Sequence, residues 1–487
     1  MSQHRPFRRH AFWLVSLCAT LASPDAFAQE TATSARSTDT TPSALSTPDR
    51  TADAGDPASS LDRLASLVEA SNERQSERVA LRLEEALEIA LSHSPTLALQ
   101  EASVRMAEAQ QESLKSTYRP NVSAAASVEL STGSGYVAGS TQLGGGQTRT
   151  TATSLNASLA ADQLIYDFGT HASRRRAAQA RVAATNASAE QTLQDIRTAV
   201  ITQYLRAGAA HEQLQVARQI QQTEAKRAEQ IEAYVEVGLR PSIDRATARA
   251  NVASSTARFI DAETAYDLAV FELLDTMGVT DDLPLDIHFT QLDTHELESL
   301  DTRELRQLAQ SQRGELRQLA ESMTAAEEGL RATSRSARPT LRGMAGVSES
   351  FLVGGQGRWN AYIGARIGWN IYQGGQIRFQ QREQEAELMR LSAEEQVIVQ
   401  SVVQEIRRAQ RNIRGAQASV ETRRILVLNA EEQLNLAQAR YDTGLGNIVE
   451  LSDAQLALTQ AKFDEIEANL TLSLARANLI AAVAGWE

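Results

Sequence analysis

Cysteine is nearly absent. Cys18 stands alone in 487 residues, which excludes an internal disulfide framework and paired-thiol chemistry. Proline is scarce too, with 10 in the chain. None falls between Gly169 and Val237 or between Gly375 and Thr443, where Gly208 and Gly415 are the only internal glycines. A helix left unbroken over such a stretch would reach about 100 Å at ~1.5 Å per residue. No apolar run approaches the roughly 18 residues of a membrane-spanning helix, so any passage through a bilayer must be made by strands. Aromatics make up 5% and the net charge is −13, a balance that argues against nucleic acid as a partner.

What is present begins with an export signal. Arg5, Arg8 and Arg9 precede an apolar run from Ala11 to Ala22, and Ala26-Phe27-Ala28 offers a cleavage site before Gln29. Residues 1–28 therefore read as a signal peptide, and the mature chain leaves the cytoplasm. Cleavage removes Cys18 and takes the charge from −13 to −15, because the segment holds three arginines and one aspartate. Leu17 precedes Cys18 where a lipid-anchor motif wants a small residue. Residues 29–78, rich in Thr, Ser, Ala, Asp and Pro, read as a disordered leader.

The rest is one unit written twice. Leu164-Ile165-Tyr166-Asp167-Phe168-Gly169 returns as Asn370-Ile371-Tyr372-Gln373-Gly374-Gly375, and Glu236-Val237-Gly238-Leu239 as Asp442-Thr443-Gly444-Leu445, both shifted by 206 positions. The predicted repeats are 79–278 and 301–487, joined by a linker at 279–300. Each holds a helix, a strand pair (121–167 and 340–373), a long helix (169–237 and 375–443), a tip (238–241 and 444–447) and a return helix. The helices before the strand pairs, about Leu83 to Thr117 and Thr302 to Ser336, end at Arg119-Pro120 and Arg338-Pro339, where proline turns the chain extended. Glycine-rich loops, Gly133-Ser134-Gly135 with Gly144-Gly145-Gly146 and Gly354-Gly355-Gln356-Gly357, lie within the pairs. The first has no helix after it and so lacks the context of a dinucleotide fingerprint.

Alternation marks the strands. Val122, Ala124, Ala126, Val128 and Leu130 interleave with Asn121, Ser123, Ala125, Ser127 and Glu129. Ala361, Ile363, Ala365, Ile367, Trp369 and Ile371 interleave with Tyr362, Gly364, Arg366, Gly368, Asn370 and Tyr372. Runs of about ten such residues suit a tilted transmembrane strand. Trp359, Tyr362, Trp369 and Tyr372 are expected to form an interfacial aromatic girdle. An aromatic core in a soluble sandwich is the alternative, opposed by Arg366 and Asp162 on the inner face, since unpaired buried charge is costly.

The long helices carry a narrow stripe: Val399, Val402, Ile406, Ile413, Val420, Val427, Leu434 and Tyr441 settle into sevens, the period of left-handed supercoiling. The wet remainder suits the wall of a water-filled tube and suits a solvated coiled-coil rod equally. Gly238-Leu239 and Gly444-Leu445 stop the helices. His93, His171, His211, His288 and His295 show no metal-binding spacing, and no nucleophile elbow or phosphate loop occurs. No enzyme, cofactor or metal is predicted.

These motifs in this order resemble the TolC-like family of outer-membrane efflux proteins over roughly Val79 to Trp486. The resemblance rests on Leu83-Glu84-Glu85-Ala86-Leu87-Glu88-Ile89-Ala90 with Pro95, Tyr118-Arg119-Pro120, Tyr166-Asp167-Phe168-Gly169 with its echo at Tyr372, and the two Gly-Leu turns. It implies a mainly α fold with membrane β: a homotrimer in which each chain gives four strands to a shared transmembrane β-barrel and long helical hairpins to a periplasmic α-barrel. It further implies a passive exit channel in the bacterial outer membrane. A periplasmic adaptor, or membrane fusion protein, and an inner-membrane ABC or proton-driven pump would meet Gly238, Leu239, Gly444 and Leu445. The gate would use Tyr441 and Asp244, with Glu450 and Asp453 as carboxylate rings at the narrowest point. Gly446 stands where the family pattern can carry an arginine, Ser94 where asparagine is usual, and Gly314 where proline is common. The competing reading is a periplasmic coiled-coil scaffold or adhesin stalk without a pore.

Overall fold

A computed structural model describes residues 79–136, 147–281, 283–353, 357–483 and 485–486. The signal segment, the leader, Gly144-Gly145-Gly146 and Gly354-Gly355-Gln356 lie outside them. The elements are β1 (Val79–Ala80), α1 (Leu83–His93), α2 (Pro95–Lys115), β2 (Asn121–Tyr136), β3 (Gln147–Tyr166), α3 (Thr170–Glu236), α4 (Ser242–Met277), β4 (Leu285–Asp286), α5 (Thr302–Gln312), α6 (Gly314–Arg335), β5 (Thr340–Leu352), β6 (Arg358–Gly368), α7 (Gln376–Asp442) and α8 (Ile448–Val483).

The helix expected over Leu83 to Thr117 is two helices, and so is its counterpart from Thr302. Ser94 and Arg313 are extended, with ψ of 117° and 125°. In the first copy Pro95 lacks an N–H and keeps Ser94 out of the helical region. In the second no proline is present. There Gly314 lies so close to α3 that a Cβ would stand 2.7 Å from the Ala187 carbonyl oxygen, so the break follows a backbone crossing that only glycine permits.

Four antiparallel strands form one sheet in the order β2-β3-β5-β6. Register aligns the two residue sets across all four strands. Asn121, Asp162, Met344 and Gly364 make one row, and Ser123, Ala160, Gly346 and Tyr362 the next. The rows between are Val122, Ala161, Ala345 and Ile363, then Ala124, Leu159, Val347 and Ala361. One face is thus small and polar, with Arg342 bonded to Asp162 at 2.7 Å, and the other is apolar. A register shift between Leu164 and Tyr166 sets Tyr166 opposite Leu341, moving it to the apolar face. β6 ends at Gly368, short of the expected Gln373, because its last partner is Thr340 and Pro339 has no N–H to extend the ladder.

The two long helices have 67 residues each, about 100 Å. Both start from a left-handed glycine, Gly169 at φ 85° and Gly375 at φ 82°. α3 packs along α4 and α6, and α7 along α8. All eight heptad residues of α7, Val399 to Tyr441, are buried or half-buried. The duplication persists in the cores: Val200, Ala207, Tyr266, Leu273 and Met277 fill one cluster, and Ile406, Ile413, Leu472, Leu479 and Val483, each 206 further on, fill another. No helix among the described residues is long and apolar enough to cross a membrane.

Candidate functional site: hairpin tips and membrane rim

The tips hold together through a cluster of Ala228, Ile231, Ala248, Val252, Ala437, Tyr441, Ile448, Leu451 and Ala454. Within it the Tyr441 hydroxyl donates to Asp244 Oδ2 at 3.0 Å, both residues being buried. This bond joins the second hairpin to the first inside one chain. Burial first, and the bond to Asp244 second, push the Tyr441 hydroxyl up to about 12. Arg240 completes the contact: its guanidinium lies 4.1 Å from the centre of the Tyr441 ring and donates to the Tyr441 carbonyl oxygen. The cation comes from Arg240, directly after the Gly238-Leu239 turn of the first copy, and not from position 446 of the second, where the family pattern can carry an arginine. At Gly446 a Cβ would stand 3.1 Å from the Arg440 backbone, so the tight turn resists a larger residue. A further bond from Asn251 to Ser452, 2.8 Å, ties α4 to α8.

Glu450 and Asp453 are both exposed on the first turns of α8. Glu450 is paired with Arg440 at 3.3 Å, so its charge is partly offset within the chain, while Asp453 lies one turn further on. At the turns themselves, Gly238 and Gly444 have φ of 76° and 79°. The following leucines donate N–H bonds back to Tyr234 and Arg440 at 2.8 and 2.9 Å. These are glycine helix stops with paired backbone. Their side chains are free of the fold: Leu239 is 71% and Leu445 78% exposed. No Cβ contact lies within 4 Å of Gly238 or Gly444, which leaves room for a second backbone.

At the membrane rim the expected girdle divides. Trp359 shares the apolar face with Ala361 and Ile363, at the loop end of β6. Trp369 follows the other end, its indole donating to the Ala337 carbonyl at 3.0 Å, with Tyr372 in the switch to α7. Ten strand residues span about 33 Å, and a tilt of about 40° reduces that to about 25 Å, the height of an apolar band between two girdles. Tyr362 does not belong there. It sits an odd number of residues from Trp359, faces the polar side and covers Gly346 opposite it. At the strand-to-helix switch, Asp167 accepts from the N–H groups of Gly169 and His171 at 3.1 and 2.6 Å and from the Tyr118 hydroxyl at 3.2 Å, so Tyr118-Arg119-Pro120 and Tyr166-Asp167-Phe168-Gly169 form one structural joint.

Away from these places, one trio among the described residues has donor atoms close enough to share a cation: His211, Asp286 and His288. Linear spacing hid it, since 75 residues separate His211 from Asp286.

The family model described as "Outer membrane efflux protein" matches residues 86–279 and 305–485. Outer membrane protein TolC of Escherichia coli (strain K12) is 28% identical over 158 residues, 32% of this chain and 31% of that protein, so the chain aligns with about a third of that relative's length. Among solved structures, the outer membrane protein VceC of Vibrio cholerae aligns with TM-score 0.67 and 20% identity over 83% of this chain and 96% of that one. The open state of the Neisseria gonorrhoeae MtrE channel aligns with TM-score 0.66 and 19% identity over 83% and 89%. At that identity the structures speak for the fold.

Proposed function

Since the chain belongs to the outer membrane efflux protein family, an outer-membrane transport family and not an enzyme family, we propose that it is the passive exit channel of a tripartite export system. The observation that carries this is the sheet. Among the described residues β2 and β6 pair on one side only, and the register gives the sheet one apolar and one polar face. In lipid, each unpaired edge N–H and C=O costs several kcal/mol, so other copies must complete the ring; family likeness makes the number three. The apolar face then meets lipid, Trp359 and Trp369 mark its rims, and the polar face with Arg342, Asp162 and Tyr362 lines water.

The repeats 79–278 and 301–487 each supply one strand pair and one long hairpin, with 279–300 between them. Tyr441, Asp244 and Arg240 latch the two tips, and Glu450 and Asp453 present carboxylates beside the opening. Gly238-Leu239 and Gly444-Leu445 offer two exposed leucines to an adaptor, which would link the channel to an inner-membrane ABC or proton-driven pump that provides the energy.

Extracted in mild detergent from the outer-membrane fraction, the protein should run as a trimer and conduct ions in planar bilayers, and Tyr441→Phe should raise that conductance. A soluble, detergent-free product without conductance would overturn the channel and favour a periplasmic stalk.

A further inference from the structure

The segment from Leu285 to His288 runs extended beside α3. Leu285 and Ile287 are buried in the first core cluster, so alternation directs Asp286 and His288 the other way, toward His211. Asp286 Oδ1 lies 3.3 Å from His211 Nε2, and Asp286 Oδ2 lies 3.5 Å from His288 Nε2. One donor atom from each residue falls within 4.8 Å of the other two. Tetrahedral zinc with bonds of about 2.1 Å sets neighbouring ligand atoms about 3.4 Å apart. Each imidazole already stands at about that spacing from one of the two Asp286 oxygens, so a modest turn of the carboxylate and the exposed His288 ring completes the set.

The scaffold under these side chains is stiff, as a binding constellation requires. The Tyr266 hydroxyl donates to the Leu285 carbonyl at 2.7 Å and accepts from the Ile287 N–H at 3.0 Å, gripping the backbone on both sides of Asp286. Leu81 N–H donates to the Asp286 carbonyl at 3.1 Å. His211 is buried, with its ring 5.3 Å from that of Tyr266. His288 is the exposed member, 71% accessible at its side chain. It borders a cavity of about 650 Å³ shared with Glu212, Gln215 and Glu465, which gives water ligands access. Two imidazoles and a carboxylate suit zinc and its first-row neighbours, whereas calcium and magnesium take oxygen ligands.

We propose that His211, Asp286 and His288 bind one divalent transition-metal ion, of which zinc is the reference case, joining β4 to α3. Binding draws both imidazoles onto Asp286 and displaces the Gln215 amide, now 2.9 Å from His211 Nε2. Metal held by the folded chain alone adds to its stability. The site is independent of the export role, since it touches neither the four-stranded sheet of β2, β3, β5 and β6 nor the tips.

Zinc titrated into the detergent-purified full-length protein, against a chromogenic chelator, should bind at one ion per chain with micromolar affinity or better. Cobalt in its place should give the visible bands of a four-coordinate N/O site. His288→Ala alters only an exposed side chain, and Asp286→Asn keeps its shape; each should weaken binding by at least about tenfold. Zinc should raise the Tm of the unsubstituted protein by more than that of either variant at the same concentration. Equal binding by the unsubstituted protein and His288→Ala, or no binding at micromolar zinc, overturns the site.

Discussion

The two long helices share an origin, a length of 67 residues and a left-handed glycine at the start, yet 21 residues of α3 are buried against ten of α7. Along α7 Phe379, Met389, Val397, Leu428 and Leu436 stay exposed, whereas α3 exposes only Tyr234 among its large apolar side chains. The copies kept one backbone plan and divided the surface work. α3 is enclosed by its own chain, and α7 carries the apolar surface that the proposed assembly would cover. The linker teaches the same lesson. In the first copy the Tyr266 hydroxyl holds it at Leu285 and Ile287. In the second, the buried Arg476 holds it through Glu298 at 3.0 Å, Thr294 at 2.9 Å and the Leu292 carbonyl. A neutral hydroxyl and an ion pair between buried Arg476 and half-buried Glu298 do the same job with different sensitivities.

Those sensitivities rank the tests. Arg476→Met leaves the half-buried Glu298 only neutral donors, the His295 N–H and the Gln417 amide, and should cost about 3 kcal/mol, the low end for a broken buried pair, read as a fall in the denaturant midpoint; Glu298→Gln in the same chain should recover part of it. Tyr266→Phe removes a hydroxyl from two buried backbone groups and should cost about 1–3 kcal/mol. Equal losses would show that the two devices are not distinct. A sharper contrast lies at the internal glycines. A Cβ on Gly208 would stand 2.7 Å from Phe289 Cα, while one on Gly415 would meet nothing within 4 Å. Gly208→Ala should therefore cost about 1–3 kcal/mol, and Gly415→Ala should add about 0.5–1 kcal/mol through helix propensity alone; thermal melting decides, and a shared sign defeats the comparison.

The smallest effect is at the tips. The neutral Tyr441 phenol makes the bond, and its ionisation is raised from the usual value near 10 to about 12. The folded state thus holds the proton more tightly. The latch contributes fully below about pH 10 and is lost as pH rises from there through about 12. The difference in tyrosinate absorbance between the unsubstituted protein and Tyr441→Phe should appear only at the top of that window. A transition near pH 10 would mean that the hydroxyl is not bonded.

Much was legible beforehand. The proline-free stretches run one residue beyond the observed helices at each end, because an unbroken run of helix formers with glycine stops is a local property. The alternation of β2 and β6 is local in the same way, and pairing then extends it into rows across the sheet. Tyr362 could have been separated from the girdle by parity alone. Other features were hidden. The end of β6 depended on where its partner strand ran out, and the break at Arg313 on how closely α6 crosses α3. Arg240 reached Tyr441 across 201 residues, with no sequence offset to announce it.

Periodicity, breakers and the 206-residue shift, all carried by neighbours along the chain, were enough by themselves to determine the long hairpins, the amphiphilic strand pairs, the duplication and the resemblance to outer-membrane efflux proteins. Only the tertiary structure decided which cation stacks on Tyr441, which face holds Tyr166, and that His211 meets Asp286 and His288. Those outcomes turn on bulges, crossing distances and the axial offset between packed helices. Such quantities arise when distant segments touch, and no local pattern of residues encodes them.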